Sequence, residues 1–558
     1  MIKKALELKK ELSLSLPVIE ILLKRGFTTA QQVRDFLSPS LDDLHDPFLF
    51  SGMERAVSRI ILAIEREEPC IVYGDYDVDG ISSIGLVVRN LTKLGGKPFY
   101  YVPNRLKEGY GLSREGLESI IARGFTLIIT VDCGINATEE ILFAKEQGVD
   151  VIVTDHHTPR KEGIESYAVI NPKVDGEGYP FRDLAGVGVA FKLIQALFSK
   201  LGREMNEVLE DLDLVALGTI ADVVPLIGEN RLLAKEGLDA LNKTEKVGLS
   251  ALIQKSGLKR GKIGAYEIGF ILGPRLNASG RIDTAIPSVE LLLTEDRELA
   301  WDIALELGQL NRIRQDLHEK VMCESVQMVE EMEYDKGING IVLAKKDWHE
   351  GVVGIAASKI AEKYLLPTIL ISTSGEYGKG SGRSVQSFSL LDALDQCKEL
   401  LVRYGGHHQA AGITIEKEKI PEFRNVFNEI VRRGLVSREV DDSLESECEL
   451  RLGEVDQKLI MDLNKLEPFG MGNRQPVFIT HNIDFVGYPR IVGSNHLKVK
   501  VRENDTVFDA IGFRKGEEAR DLEIGKRVYT IYYYLNENTY RGKKTIQLQL
   551  LKIEKDME

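Results

Sequence analysis

Cysteine is scarce in this chain of 558 residues: Cys70, Cys133, Cys323, Cys397 and Cys448 are odd in number, far apart and without a CxxC pair. That distribution argues against a disulfide framework and against a zinc ribbon. Missing as well is any apolar stretch long enough to span a bilayer, so no membrane contact is expected. The beginning, Met1-Ile2-Lys3-Lys4 followed by charged residues mixed into a leucine-rich pattern, lacks the uninterrupted apolar segment of a secretory signal, and a cytoplasmic location is expected. Positive charge is not in excess either. The formal net charge of −14 leaves no sequence-wide polycation, so any nucleic-acid contact must come from local basic surface and bound metal. What is present, 43% hydrophobic and 28% charged residues, is the composition of a globular protein, and the length asks for roughly three or four domains.

The most informative stretch is Asp155-His156-His157, which closes the apolar run Val149 to Thr154. A short β-branched run bounded by Gly148 and a polar cluster predicts a buried strand. The triplet then sits at the strand's carboxyl end, where ligands bind in open α/β sheets. Hard oxygen and borderline nitrogen donors together suit manganese, iron or zinc better than calcium. Upstream, Ile71-Val72-Tyr73 leads into Gly74-Asp75-Tyr76-Asp77-Val78-Asp79-Gly80. Acids at alternate positions cannot form a buried strand without cations. The flanking glycines predict a tight loop, with a helix over Ile81 to Leu94 that ends at Gly95-Gly96. A calcium-binding helix–loop–helix fails on context, because no Glu follows at the required place and the segment lies between a strand and a helix.

Further strands are predicted at Pro98 to Val102 and Thr126 to Val131, the second ending on Asp132-Cys133-Gly134, with helices near Ser113 to Ala122 and 136–147. Alternation of strand and helix predicts a parallel sheet with right-handed crossovers. A lone Asp after a strand is ordinarily a turn or helix cap. Repetition at three strand ends makes a shared ligand site the stronger explanation. Asp222, near the end of the apolar helical segment 213–225, is electrostatically misplaced unless a cation lies close.

Asp75-x-Asp77-x-Asp79-Gly80, Val131-Asp132-Cys133-Gly134, Asp155-His156-His157 and Gly218-Thr219-Ile220-Ala221-Asp222 resemble the four ordered motifs of the DHH phosphoesterase superfamily. Nearly the whole chain is similar to its bacterial single-strand-specific exonucleases. The resemblance implies a phosphodiesterase with two divalent ions, Mn2+ or Mg2+. Asp77, Asp79, Asp132, His156 and Asp222 would form the metal set, with Asp132 bridging the ions and Asp75 an additional acid beside them whose role stays open. Asp132, His156 and His157 would be the catalytic group, His157 facing the scissile phosphate or completing a metal shell. Asp155 would orient a histidine from behind. Tyr73 stands where pyrophosphatase relatives begin the first motif with a histidine. Two ions about 3.5–4 Å apart suit an in-line phosphodiester displacement.

Gly273-Pro274-Arg275-Leu276-Asn277-Ala278-Ser279-Gly280-Arg281 is predicted as a glycine-rich loop, its Arg275 and Arg281 suited to phosphate or to ordinary ion pairing. A helix from Thr294 to Glu333, interrupted only by Gly308, would span about 60 Å and connect two lobes around a cleft. The second lobe, from Ile338, carries Trp348-His349-Glu350-Gly351, Gly380-Ser381-Gly382-Arg383-Ser384 and Gly405-Gly406-His407-His408. The His pair could cap a helix, bind metal or bind substrate. These stretches resemble the DHH-associated domain, which favours Arg383 and His407 as substrate contacts. After the acidic stretch Glu439 to Asp442, alternation in Leu497 to Arg502 puts Lys498, Lys500 and Arg502 on one strand face. Tyr529 to Tyr534 and Ile546 to Leu550 continue a small barrel whose basic and aromatic faces suit single-stranded nucleic acid. Leu466 to Asn473 extends the resemblance and implies an OB-like domain. Residues 1–45 are helical, with Thr28-Thr29 as a cap and Pro39 as a stop, and carry no assigned chemistry.

The expected fold is therefore α/β: a parallel-sheet DHH domain (46–293), a connector helix (294–333), a DHH-associated α/β domain (334–440) and an OB-like barrel (441–558) after the N-terminal helices. The implied activity is removal of mononucleotides from the 5′ end of single-stranded DNA in recombination and repair, polarity and DNA preference coming from the resemblance. A phosphoesterase for short oligonucleotides or a small phosphoanhydride is disfavoured by the extra β domain. A non-catalytic scaffold would have lost ligands that are all present here. Single-stranded DNA is the expected partner, with single-stranded-DNA-binding protein and a repair helicase as candidates, and the chain is expected to be a monomer.

Overall fold

A computed structural model describes residues 2–105, 107–160, 163–332, 339–385, 388–434, 445–540 and 543–555. Glu333, Ile338 and the acidic stretch at 439–442 lie outside the described residues. The chain forms two units, Asp46–Asp222 with Glu236–Asp441, and Met1–His45 with Val223–Lys235 and Asp442–Glu558.

In the larger unit the apolar runs form β1 (Pro69–Gly74), β2 (Lys97–Tyr101), β3 (Leu127–Val131), β4 (Asp150–Thr154) and β5 (Ala168–Ile170) in a parallel sheet of order β2-β1-β3-β4-β5. Register explains the site. Gly74 pairs with Val131, Val131 with Thr154 and Thr154 with Ile170. The residues that follow these partners, Asp75, Asp132 and Asp155, are therefore delivered to one edge. The next helix is longer than the glycines suggested and runs Val78–Lys93. Asp77 caps it, its carboxylate accepting from the N–H groups of Asp79 (3.0 Å) and Gly80 (3.2 Å). Asp79 thus lies in the first helical turn.

The expected loop at 273–281 is instead helix Gly273–Ile282, continuous with a π-helical turn at Ile268–Leu272. Its glycines serve close approach. A Cβ on Gly280 would lie 3.2 Å from the Tyr76 carbonyl oxygen, and one on Gly273 would lie 2.9 Å from that of Ile268. Pro274 lies at the junction of the π-helical turn with this helix. The long helix covers Arg297–Glu331, 35 residues or about 52 Å. It starts later than Thr294 because Asp296 caps it, accepting from Glu298 and Leu299. It packs against Val247–Lys255 and Gly273–Ile282 and also against helix Glu350–Tyr364. That last helix belongs with the second sheet: β6 (Ile341–Lys345), β7 (Thr368–Ser372), β8 (Gly378–Arg383), β9 (Leu401–Gly406) and β10 (Ala410–Ile415), of order β6-β7-β8-β10-β9.

The smaller unit contains β11 (Cys448–Glu449), β12 (Phe478–Val492), β13 (His496–Glu503), β14 (Thr506–Gly512), β15 (Tyr529–Tyr540) and β16 (Lys543–Lys555). Pairing of β12 with β15 closes the run β12-β13-β14-β16-β15 into a five-stranded barrel. Helices Ile2–Leu12, Leu16–Lys24 and Ala30–Leu37 share its core, Val18, Ile21 and Val33 joining Phe478, Phe485 and Leu497. Thr29 caps the third of these helices reciprocally with Gln32. No described helix is long and apolar enough to cross a membrane.

Candidate metal centre

The strand ends and the helices beside them place seven functional side chains of the motifs around one point. Asp132 takes a left-handed backbone, φ 58°, uncommon for a residue with a side chain and concentrated at functional sites. It is held there by its N–H donating to the Thr154 carbonyl at 3.0 Å. Nε2 of His156 lies 3.2 Å from Asp132 Oδ1, 3.5 Å from Asp222 Oδ2 and 4.0 Å from Asp79 Oδ2. Three donor sets, Asp132–His156–His157, Asp79–His156–Asp222 and Asp75–Asp77–Asp132, each have their ligand atoms within 4.8 Å of one another. Asp132 and His156 each belong to two of the three sets. Helix Leu212–Ala221 ends at Asp222 rather than continuing to Pro225, and Asp222 is its cap residue.

Two carboxylates have fixed supports. Asp79 accepts from the Gly186 N–H at 2.7 Å and the Val187 N–H at 2.8 Å, the first turn of helix Gly186–Lys200, where negative charge is favoured. Asp155 accepts from the N–H groups of His156 (2.7 Å), His157 (3.0 Å) and Ile135 (2.9 Å) and pairs with His157 Nδ1 at 2.8 Å. It orients His157 and ties the Asp132 loop to the neighbouring strand end.

Electrostatics explains why the cluster calls for cations. Burial, then Asp77, pushes Asp75 well above the carboxylate range and Asp79 up to about 7. Burial, then Asp79, does the same to Asp132 and carries Asp222 up to about 9. His156 falls to about 3 through burial and the charge of His157. His157 rises to about 9, because its bond to Asp155 outweighs burial. Asp75 Oδ1, Asp132 Oδ1 and His156 Nε2 are buried without a hydrogen-bond partner. Unpaired acceptors in a dry carboxylate and imidazole cluster are what divalent ions would satisfy, so the residues fit the implied metal pair.

Beyond the acids lies a basic wall. The Arg281 guanidinium is pushed down to about 10 by burial, then by Arg105 and Arg314, and Arg383 is lowered by burial, then by Arg105. Arg105 also sits 5.2 Å over the Tyr76 ring. His407 is lowered by burial and next by His157, which brings the second lobe's motif to the centre. His408 has a different task, its Nδ1 lying 2.8 Å from the Oγ of Ser389. Arg275 stands apart, donating to the Ile271 carbonyl at 2.6 Å with Arg312 as its charged neighbour. In the smaller unit, Lys498 and Lys500 are exposed while Leu497, Val499 and Val501 point inward. Arg502 is half-buried and engaged by the Asp484 carboxylate. The expected aromatic face is smaller than the strand pattern suggested. Tyr529 and Tyr533 fill the barrel core, Tyr532 and Tyr534 are half-buried on the opposite face of their strand, and Tyr488, 93% exposed, and Phe513, 50% exposed, are outward rings.

Sequence reasoning missed several residues. Gly186 and Gly218 leave no room for a side chain: a Cβ would lie 2.5 Å from Asp132 Oδ1 and 2.7 Å from Asp79 Oδ1, respectively. The signal available was Gly186-Val187-Gly188 opening an apolar helix. Tyr110 was also missed, its hydroxyl 3.3 Å from His157 Nε2, as was Arg105, which had no pattern to mark it.

The match to known families follows the same architecture. Residues 69–219 match the DHH family, N-terminal domain, 337–433 the DHHA1 domain and 446–552 the RecJ OB domain. The single-stranded-DNA-specific exonuclease RecJ of Bacillus subtilis is 41% identical over 98% of this chain and 69% of that protein. That of Escherichia coli is 35% identical over 94% of this chain and 93% of that protein. The chain belongs to the RecJ family. Crystal structures agree: RecJ of Thermus thermophilus in complex with Mn2+ superposes with a TM-score of 0.85 at 30% identity, covering 100% of this chain and 78% of that one. An exonuclease RecJ bound to manganese gives a TM-score of 0.64 at 36% identity, over 72% of this chain and 99% of that one. In both RecJ structures manganese is the bound ion, consistent with the donor chemistry found here.

Proposed function

We propose that this protein is a single-strand-specific exonuclease that hydrolyses DNA from the 5′ end and releases 5′ mononucleotides, with two Mn2+ or Mg2+ ions held by Asp75, Asp77, Asp79, Asp132, His156 and Asp222. The observation that carries it is the convergence of three donor sets sharing Asp132 and His156 at in-register strand ends. Two bound ions supply the positive charge that phosphodiester hydrolysis needs in its transition state. The remaining work falls to the chain. Asp155 fixes the His157 ring beside the reacting phosphate. Arg105, Arg281 and Arg383, with His407, form the wall that takes phosphate oxygens. Guanidinium groups suit that task through their planar fork of donors. In the barrel, Lys498 and Lys500 with Tyr488 offer charge and a ring to an unpaired strand. Mutual repulsion among Arg105, Arg281 and Arg314, which outweighs the pull of Asp77 on Arg281, supports a polyanionic substrate. Recombination and repair, a monomeric state, and single-stranded-DNA-binding protein and a repair helicase as partners complete the proposal.

Strands labelled at the 5′ or the 3′ end, and matching duplexes, test it with Mn2+ present and Asp132→Ala as control. Mononucleotides are expected first from the 5′ label, with single strands preferred and the substitution inactive. Equal release from both ends overturns the polarity, and cleavage confined to dinucleotides overturns the strand-degrading activity.

A further inference from the structure

Tyr266 and Phe270 are 64% and 70% exposed, yet their rings stack with centroids 4.9 Å apart and planes at 27°. Single exposed rings are ordinary on a protein surface, whereas a preassembled pair leaves a flat apolar face with nothing on it. Tyr266 lies in the helical turn Ala265–Glu267 and Phe270 in the π-helical turn Ile268–Leu272. Such wide turns recur at functional sites, and this one presents Gly269 with open space around it. The turn just before, Lys259-Arg260-Gly261-Lys262, is exposed throughout. Among the described residues none of its three cations has a carboxylate partner, and Arg260 donates to the Ser250 hydroxyl at 2.5 Å. Glu267 is occupied, its carboxylate accepting from the Gly264 N–H at 2.8 Å, and the Asn242 amide fixes Ile263 at 2.8 and 2.9 Å.

Continuity with the metal centre decides the occupant. A Cβ on Gly273 would lie 3.6 Å from Ala221 Cβ and 3.8 Å from Val78 Cγ2, and those two residues flank Asp222, Asp77 and Asp79. Phe270 precedes Gly273 by one helical turn, so the ring pair begins about 5 Å along the helix from the wall of the centre. We propose that Tyr266 and Phe270, with Lys259, Arg260 and Lys262, form a second single-strand-binding patch, separate from the barrel, on which bases 3′ of the scissile bond stack while the cations take their phosphates. Rings stack on any base, and cations follow the backbone. The inference rests on the single-strand reading above and adds a site to it.

Nuclease-resistant phosphorothioate strands of about 4 and about 20 nucleotides, bracketing the span of a typical single-strand site, are titrated into the full chain with Mn2+ present. Tyr266→Ala with Phe270→Ala is expected to lower the ratio of long-strand to short-strand affinity about 10- to 100-fold. Tyr266→Trp with Phe270→Trp keeps the ratio, which separates stacking from local misfolding. Lys259→Gln, Arg260→Gln and Lys262→Gln together flatten the slope of log affinity against log salt by about 2. An unchanged ratio together with an unchanged slope overturns the patch. If the native chain degrades single strands and these variants behave like it, only the patch falls. If the native chain prefers no single strand, the underlying reading falls with it.

Discussion

Gly186→Ala tests how tightly the centre is built. The added Cβ would lie 2.5 Å from Asp132 Oδ1 and 2.7 Å from both Cβ and Cγ of that side chain, whereas ordinary contact begins at 3.4 Å. Either the carboxylate or the start of helix Gly186–Lys200 must therefore retreat by about 0.9 Å, several times the ~0.2 Å that metal–ligand distances tolerate. Neither movement is harmless. A shift of Asp132 disturbs both donor sets it belongs to. A shift of the helix drags the Gly186 and Val187 N–H groups away from Asp79. Disturbing supports of this kind lowers metal affinity about 10- to 100-fold, and overpacking lowers fold stability by about 1–3 kcal/mol. Calorimetric titration of Mn2+ into metal-free protein measures the first and thermal melting the second. Gly308→Ala is the control, because its Cβ would meet nothing within 4 Å; it should stabilise the long helix by about 1 kcal/mol and leave Mn2+ affinity alone. A folded Gly186→Ala protein with native Mn2+ affinity would refute the close-packed account of the site.

Other consequences follow from the same geometry. Asp79 and Asp222, raised to about 7 and about 9, keep protons in the metal-free fold that the unfolded chain gives up near the ordinary carboxylate value. Metal-free stability should therefore fall as pH rises from about 4 through 9. Mn2+ removes that fall by displacing the protons, so its affinity climbs with pH and melting curves with and without Mn2+ diverge; parallel curves sink the idea. Asp155→Asn keeps the size but removes the charge that orients His157, and should lower kcat about 10- to 100-fold with KM little changed, as steady-state kinetics on a labelled strand would show. Arg383→Lys keeps the charge and loses the planar fork, so KM for single strands should rise by about tenfold or more while Mn2+ affinity holds; equal KM values would remove Arg383 from the phosphate wall.

The sequence by itself determined the elements and their polarity. Runs such as Leu127–Val131 and Asp150–Thr154 are short, β-branched and bounded by turn residues, a local signal that needs no partner to be legible. Acids at the ends of those runs had one destination once the sheet was parallel, so the candidate ligands were legible too. Asp296 and Asp77 set helix starts that pattern alone misplaced by a few residues, because a cap competes with the glycines and threonines nearby. Tertiary structure decided the rest. Gly273 and Gly280 look like loop punctuation in the chain, but they are places where one helix meets Ala221, Val78 and Tyr76. Tyr529 and Tyr533 point into the barrel because closure of β12 on β15 gives their face an interior. The Gly186 and Val187 amides reach Asp79 across 107 and 108 residues of sequence. Local composition encodes which backbone a segment prefers, whereas the approach of a distant amide or arginine depends on register and packing that no single window of sequence contains.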